Sequence, residues 1–285
     1  MSTLHFKKLA ALTFSAGLIY SLIEPHRLTL RQFDVKLESL PPECEGLKIL
    51  QLSDLHCSAI TSTRLIARAV SVCNLLKPDV VVLTGDFVSR RNSYSRFSGA
   101  RVWARPIMEY ADAVAGVLRE LRAPDGVFAV PGNHDHSQGN CDAIMDVLQA
   151  NGVRPLVNRS TLVRGVLPIV GLDDLRAGRP LLGPAFENIA PEMAQIVLSH
   201  NPRLLASISQ RNALMLSGHT HAGQVLLPFM PQRVTPSDVA STPHLKGWYR
   251  QGRAQLYVNT GLGSVHFPMR FRCPPEISVF TLRAV

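Results

Sequence analysis

Lys48-Ile49-Leu50-Gln51-Leu52-Ser53-Asp54-Leu55-His56 is a short apolar run that stops in a polar cluster, and the chain repeats this arrangement four more times. Val80-Val81-Val82-Leu83 ends in Thr84-Gly85-Asp86, and Val127-Phe128-Ala129-Val130 ends in Pro131-Gly132-Asn133-His134-Asp135. Ile196-Val197-Leu198 ends in Ser199-His200-Asn201, and Ala213-Leu214-Met215-Leu216 ends in Ser217-Gly218-His219-Thr220-His221. Short apolar runs bounded by turn residues predict buried strands.

Helical spacing lies between these runs. Leu65, Ile66, Ala69, Val72, Cys73 and Leu76 recur at the period of one helix face, and Pro78 closes that helix. Residues 107–121 and 141–148 are further predicted helices. Strands alternating with helices imply an α/β fold, in which ligands gather at the carboxyl ends of the strands. All five polar clusters lie at such ends. After Gly223 the pattern turns to loop and β, with strands expected at 255–258 and 277–282. There is no internal repeat, so one principal domain is expected over 47–285, behind a linker or first-strand region at 25–46.

The 285 residues are 46% hydrophobic and 18% charged, which excludes a disordered chain. The net charge of +9 is unevenly spread. Between Met193 and Pro275 the single acid is Asp238, against eight arginines and lysines, and the stretch 89–105 carries Arg90, Arg91, Arg96, Arg101 and Arg105 with no acid. Such fields favour anionic partners. Five scattered cysteines without a CxxC pair exclude a disulfide framework or a zinc ribbon.

Residues 9–23, LAALTFSAGLIYSLI, carry no charge and follow Lys7-Lys8. A bilayer span needs about 20 apolar residues, with about 17 as the lower bound. Residues 1–24 are therefore expected to form an uncleaved membrane anchor, with a signal-like segment or a buried helix as alternatives. As an anchor, the segment is expected to be removable without loss of turnover.

D-L-H at 54–56, G-D at 85–86, G-N-H-D at 132–135, His200 and G-H-T-H at 218–221 stand in the order of the calcineurin-like metallophosphoesterase superfamily, which this chain resembles from Leu47 onward. The resemblance implies a β-sandwich flanked by helices and a centre of two divalent metal ions. It implies Asp54, His56, Asp86 and His221 on one metal, and Asp86, Asn133, His200 and His219 on the other, with Asp86 as the bridge. Mixed carboxylate, amide and imidazole donors suit Mn, Fe or Zn, with Mn favoured. His134 is implied as the catalytic group that protonates the leaving oxygen, and Asp135 as the residue that orients its ring. His136, His244 and His266 are expected outside the centre, Cys57 is expected to be structural, and Asp173-Asp174, after Val170-Gly171, is read as a turn, with another site loop as the alternative.

L-S-D-L-H, T-G-D-F-V, G-H-T-H-A-G-Q-V, N-T-G-L-G at 259–263 and R-F-R-C-P-P-E-I at 270–277 are similar to the bacterial membrane-associated branch, which usually has Gly in place of Ala222. That branch includes UDP-2,3-diacylglucosamine pyrophosphatases of lipid A synthesis and phosphodiesterases. The implied substrate is an anionic, lipid-linked phosphoester or pyrophosphate at a membrane surface. The alternatives are a general phosphodiesterase or nuclease-like enzyme, with nucleic acid the lesser partner, and a non-enzymatic scaffold. Tyr94, Phe97 and Trp103 among the arginines of 89–105 are expected to form a lip for such a substrate.

Overall fold

A computed structural model describes His5 and residues 15–89, 105–226 and 242–285. The expected arginine-rich lip lies, apart from its two ends, outside the described residues. So does the first part of the apolar N-terminal segment. Within the described residues no helix is long and apolar enough to cross a membrane.

The first sheet contains β1 (Thr29–Leu37), β2 (Lys48–Leu52), β3 (Val80–Leu83), β4 (Gly126–Ala129), β5 (Arg154–Pro155) and β12 (Glu276–Ala284). Their order is β1-β12-β2-β3-β4-β5. The second contains β6 (Arg159–Val163), β7 (Leu167–Gly171), β8 (Gln195–Leu198), β9 (Ala213–Ser217), β10 (Gly247–Gln251) and β11 (Ala254–Val258), in the order β10-β11-β9-β8-β7-β6. The central strands run parallel: β2 with β3 and β3 with β4 in one sheet, β7 with β8, β8 with β9 and β9 with β11 in the other.

Strand alternation explains the continuous apolar runs, because both faces of each sheet are covered. Ile49, Val80, Val82, Phe128, Phe280 and Leu282 point inward and meet Ile169, Ile196, Leu198, Leu214 and Leu216 of the opposite sheet. Their neighbours Leu50, Leu52, Val81 and Leu83 point outward. These pack on three helices, α1 (Thr63–Leu76), α2 (Ile107–Leu118) and α3 (Cys141–Ala150), through Ile66, Ala69, Cys73, Val114, Ala115 and Ile144. Outside the second sheet, Val170, Val197, Met215 and Leu256 pack on Phe186, Leu204, Leu205 and Ile208. The result is the expected sandwich with helices on its flanks. Lys77 ends α1 in the left-handed conformation, just before Pro78.

Residues before 47 and after 223 belong to the same sheets. β12 lies between β1 and β2, parallel to one and antiparallel to the other. All five cysteines are buried and free, and Cys57 joins the core beneath α1.

Residues 15–23 are helical and continue into the turn Glu24–His26. Ser21 and Glu24 are buried against the domain, so this part of the segment packs on it through one side.

Leu282, wholly buried between the two sheets, tests the sandwich core. Leu282→Ala is expected to cost about 2–5 kcal/mol of stability. The measurement is a urea midpoint that falls at unchanged slope.

Candidate metal centre

Parallel strands bring their carboxyl ends to one edge of each sheet, and the sandwich brings the two edges together. Gln51 reaches across that edge, its Nε2 donating to the Ser217 carbonyl at 3.0 Å and to Thr84 Oγ1 at 2.9 Å. The His219 N–H donates to both oxygens of Asp54, at 3.0 and 3.1 Å, which ties the loop after β9 to the loop after β2. Each tie is long-range in sequence and short in space.

Asp54, His56, Asp86, His200, His219 and His221 converge there, all buried. His56 Nε2 lies 2.9 Å from His221 Nε2, and His221 Nε2 lies 3.3 Å from Asp54 Oδ1. On the other side, His200 Nε2 lies 3.2 Å from His219 Nδ1. Asp86 Oδ2 belongs to both halves, 3.4 Å from His56 Nε2 and 3.2 Å from His200 Nε2. Two donors at right angles on one cation, each about 2.1 Å from it, stand about 3.0 Å apart. The observed spacings match that edge length.

Asn133 supplies an independent sign. Its side-chain oxygen is buried and has no hydrogen-bond partner among the described residues, which is costly for an amide unless something else satisfies it. The outer ring nitrogens also fit. His200 Nδ1 donates to the Thr84 carbonyl at 2.8 Å, which turns Nε2 into the cluster. His56 Nδ1 bonds Ser89 Oγ.

Electrostatics point the same way. Burial works to raise Asp54 and Asp86, yet His221 and His200 hold Asp54 below the usual carboxylate range, and His200, His134 and His56 hold Asp86 well below it. Burial works to lower His200, and Asp86 and Asp54 lift it well above its ordinary value. Two ionised carboxylates in a buried cluster call for positive charge between them. Divalent cations would meet that need, so the residues present fit a binuclear metal centre.

The loops are strained to achieve this. Asp54, His56, Asp86, His219 and His221 all have positive φ, between 45° and 72°, a region few non-glycine residues enter. Glycine is required where loops touch: a Cβ on Gly132 would come within 2.2 Å of Asp86 Oδ1, and one on Gly218 within 2.1 Å of Asp54 Oδ2. Ala222 stands in the left-handed region at φ 53°, which gives a conformational reason for the glycine usual there in the resembling branch.

Residues 47–223 match the calcineurin-like phosphoesterase family, covering more than half of the chain. The chain belongs to that family. Over 280 residues it is 32% identical to an uncharacterized metallophosphoesterase of Bacillus subtilis, YkuE, spanning 96% of this chain and 92% of the relative. It is 32% identical over 241 residues to the phosphodiesterase YaeI of Escherichia coli, with 82% of each chain covered. It is 27% identical over 311 residues to the UDP-2,3-diacylglucosamine pyrophosphatase LpxG of Chlamydia muridarum, with 90% of each covered. Like its family, this phosphoesterase is a metal-dependent phosphoester hydrolase.

His134 and Asp135 stand at the edge of the cluster. His134 is only half-buried, its ring edge-on to His56 with centroids 4.9 Å apart, and one of its ring nitrogens lies within 4.8 Å of donors on His56 and Asp86. Its main-chain N–H donates to Asp86 Oδ1 at 2.8 Å. Asp135 was expected to orient the His134 ring. Instead, its carboxylate accepts the N–H groups of Asp86, Phe87 and Gly132 at 2.8 Å each and of Val88 at 3.4 Å. It pins the loop after β3 to the loop after β4.

Asp173-Asp174 is more than a turn. Asp173 Oδ1 lies 2.7 Å from His136 Nε2, and that bond lifts His136 above its ordinary range. Asp174 is wholly buried and within electrostatic reach of His200, with one oxygen unpartnered among the described residues. The signal was in the sequence, since the pair follows the apolar run Leu167-Pro168-Ile169-Val170 at a strand end. His244 packs edge-on against Tyr249.

Asp135→Ala would leave four main-chain donors without their acceptor, at about 1–3 kcal/mol for each one left unsatisfied. The expected outcome is a loss of more than about 3 kcal/mol in chemical denaturation. A variant of wild-type stability would show that these bonds contribute nothing.

Proposed function

We propose that this phosphoesterase holds two divalent cations, with Asp54, His56, Asp86 and His221 on one and Asp86, Asn133, His200 and His219 on the other. The observation that carries the reading is Asp86 Oδ2, poised between His56 and His200. The charge demand of the cluster and the unpartnered Asn133 oxygen support it. Mn is the favoured metal for this mixed set of oxygen and imidazole donors. When bound, such a pair activates water and neutralises charge at phosphorus.

The chain's own groups do the rest. Asp86 is held in register by the His134 N–H, and Asp135 keeps both loops fixed around it. His134, half-open at the rim, gives its proton to the leaving oxygen. Water thus adds across the P–O bond, its oxygen to phosphorus and a proton to the leaving group.

The substrate is a lipid-linked pyrophosphate or phosphodiester at a membrane surface, with UDP-2,3-diacylglucosamine as the first candidate. Three observations support this finer reading. The Chlamydia relative is a pyrophosphatase of that lipid by name. Leu18, Ile19, Leu22 and Ile23 expose one apolar face of the N-terminal helix, each about half exposed. The acid-poor stretch from 193 to 275 suits an anionic substrate. The domain division follows from it: a membrane-contacting segment at 1–24, a first-strand region at 25–46 and the catalytic domain at 47–285.

Chelation is expected to abolish hydrolysis and Mn²⁺ to restore it. Compared side by side, UDP-2,3-diacylglucosamine is expected to exceed a nitrophenyl diester and a nitrophenyl monoester in kcat/KM by tenfold or more. Preference for the diester would identify a general phosphodiesterase and overturn the lipid reading.

His134→Ala is expected to lower kcat by about 10²–10⁴-fold while metal content stays at wild type. Loss of bound metal in that variant would make His134 a ligand instead.

A further inference from the structure

Arg270 heads the wholly buried side chains of the described residues by volume, and its role is not explained by the metal cluster alone. Its Nη1 donates to the carbonyls of Thr260 at 3.0 Å and Cys273 at 2.8 Å, and its Nη2 to that of Gly263. The same Nη2 lies 3.3 Å from His221 Nδ1, on the side of the ring opposite the cluster. Nε is buried and without a partner among the described residues. Asp54, Glu24 and Glu276 offset the buried charge at longer range, and burial brings the guanidinium down to about 10, still charged at neutral pH. Burying arginine against carbonyls rather than a carboxylate is an expensive way to fill space.

The strip 270–272 is bonded on both sides. Toward the site, the Phe271 N–H donates to the Gln224 carbonyl, and the Leu226 N–H to the Phe271 carbonyl, both at 2.9 Å. Toward the N-terminus, the Arg270 N–H donates to the Ser21 carbonyl at 2.9 Å, and the Arg272 N–H to Glu24 Oε2 at 2.7 Å. The Tyr20 ring stands edge-on to Phe271, with centroids 5.8 Å apart.

What the strip holds is strained. His221, Ala222, Gly223 and Gln224 follow one another with φ of 50°, 53°, 81° and 56°. Three non-glycine residues in such a run persist only when neighbouring structure over-determines them. Arg270 behind the ring, Phe271 along the loop and Cys273 Sγ donating to the Ala222 carbonyl at 3.3 Å supply that constraint.

We propose that Arg270 is a positioning residue for His221, and that the N-terminal helix holds Arg270 in place through Ser21 and Glu24. The inference rests on the two-metal reading and extends it. The apolar N-terminal segment is then wired to one metal-binding loop through two hydrogen-bonded steps, and displacing the helix loosens His221.

The test uses the full chain, stripped of metal and titrated with Mn²⁺ by calorimetry, with thermal unfolding in parallel. Arg270→Met is expected to weaken one of two Mn²⁺ sites about 10–100-fold, the range seen when a group that orients a metal-binding histidine is lost. Arg270→Lys should recover part of that loss, since an ammonium can donate to some of these carbonyls but lacks the planar fork. Leu282→Ala, destabilised far from the site, should keep wild-type affinities. Should Arg270→Met fail to fold, Glu24→Ala, which removes the acceptor of the Arg272 N–H, carries the test, with an expected loss of about threefold or more at the same site.

Wild-type affinity in Arg270→Met, or a loss no larger than in Leu282→Ala, would overturn the proposal. So would unchanged binding in Glu24→Ala when Arg270→Met does not fold. A wild-type protein that binds no Mn²⁺ would remove the two-metal reading and this inference with it.

Discussion

Two carboxylates, Asp54 and Asp86, are buried at the meeting edge of two sheets and stay ionised there. Removing such charges from water costs several kcal/mol each unless positive charge and hydrogen-bond donors replace the solvent. The rest of the site answers that demand. The imidazoles of His56, His200 and His221 crowd the two oxygens that face inward, main-chain N–H groups of His134 and His219 take the others, and the family's divalent cations complete the balance. Few arrangements other than loops ending parallel strands could deliver so many donors to one small volume.

The cost of that convergence is local strain, and the fold distributes it. Positive φ at Asp54, His56, Asp86, His219 and His221 is tolerated because each loop is tied to another. Asp135 spends both its oxygens on main-chain N–H groups rather than on an imidazole, and Gln51 spans the two sheets beneath the centre. Residues adjacent to the chemistry in sequence can thus be structural, while residues far away can bear on it. Arg270 is the clearest instance: it follows His221 by 49 positions and lies against its ring.

The ends of the chain are parts of the same body. β12 completes the first sheet between β1 and β2, and the N-terminal helix reaches the strip beside the loop after β9. The N-terminal segment buries Ser21 and Glu24 against the domain and leaves Leu18, Ile19, Leu22 and Ile23 exposed on its other face.

Much of this was legible in the residues. Apolar runs ending in Asp, Asn and His clusters marked β2, β3, β4, β8 and β9, because strands buried on both faces read as unbroken hydrophobic stretches. Helical periodicity marked α1, α2 and α3 to within a few residues. Ordered motifs named the residues that gather at the centre, since motif order follows chain topology. Partnership was not legible, because a hydrogen bond between loops leaves no mark in either segment alone. Asp135 looked like a companion of His134 and proved to be a clamp, Asp173 proved to face His136, and Arg270 stood in the sequence only as one of the basic residues of an acid-poor stretch. The sequence by itself determined which chemistry the strand ends carry; only the tertiary structure decided which groups meet, because contact is set by the packing of two sheets and by strained turns that no local pattern encodes.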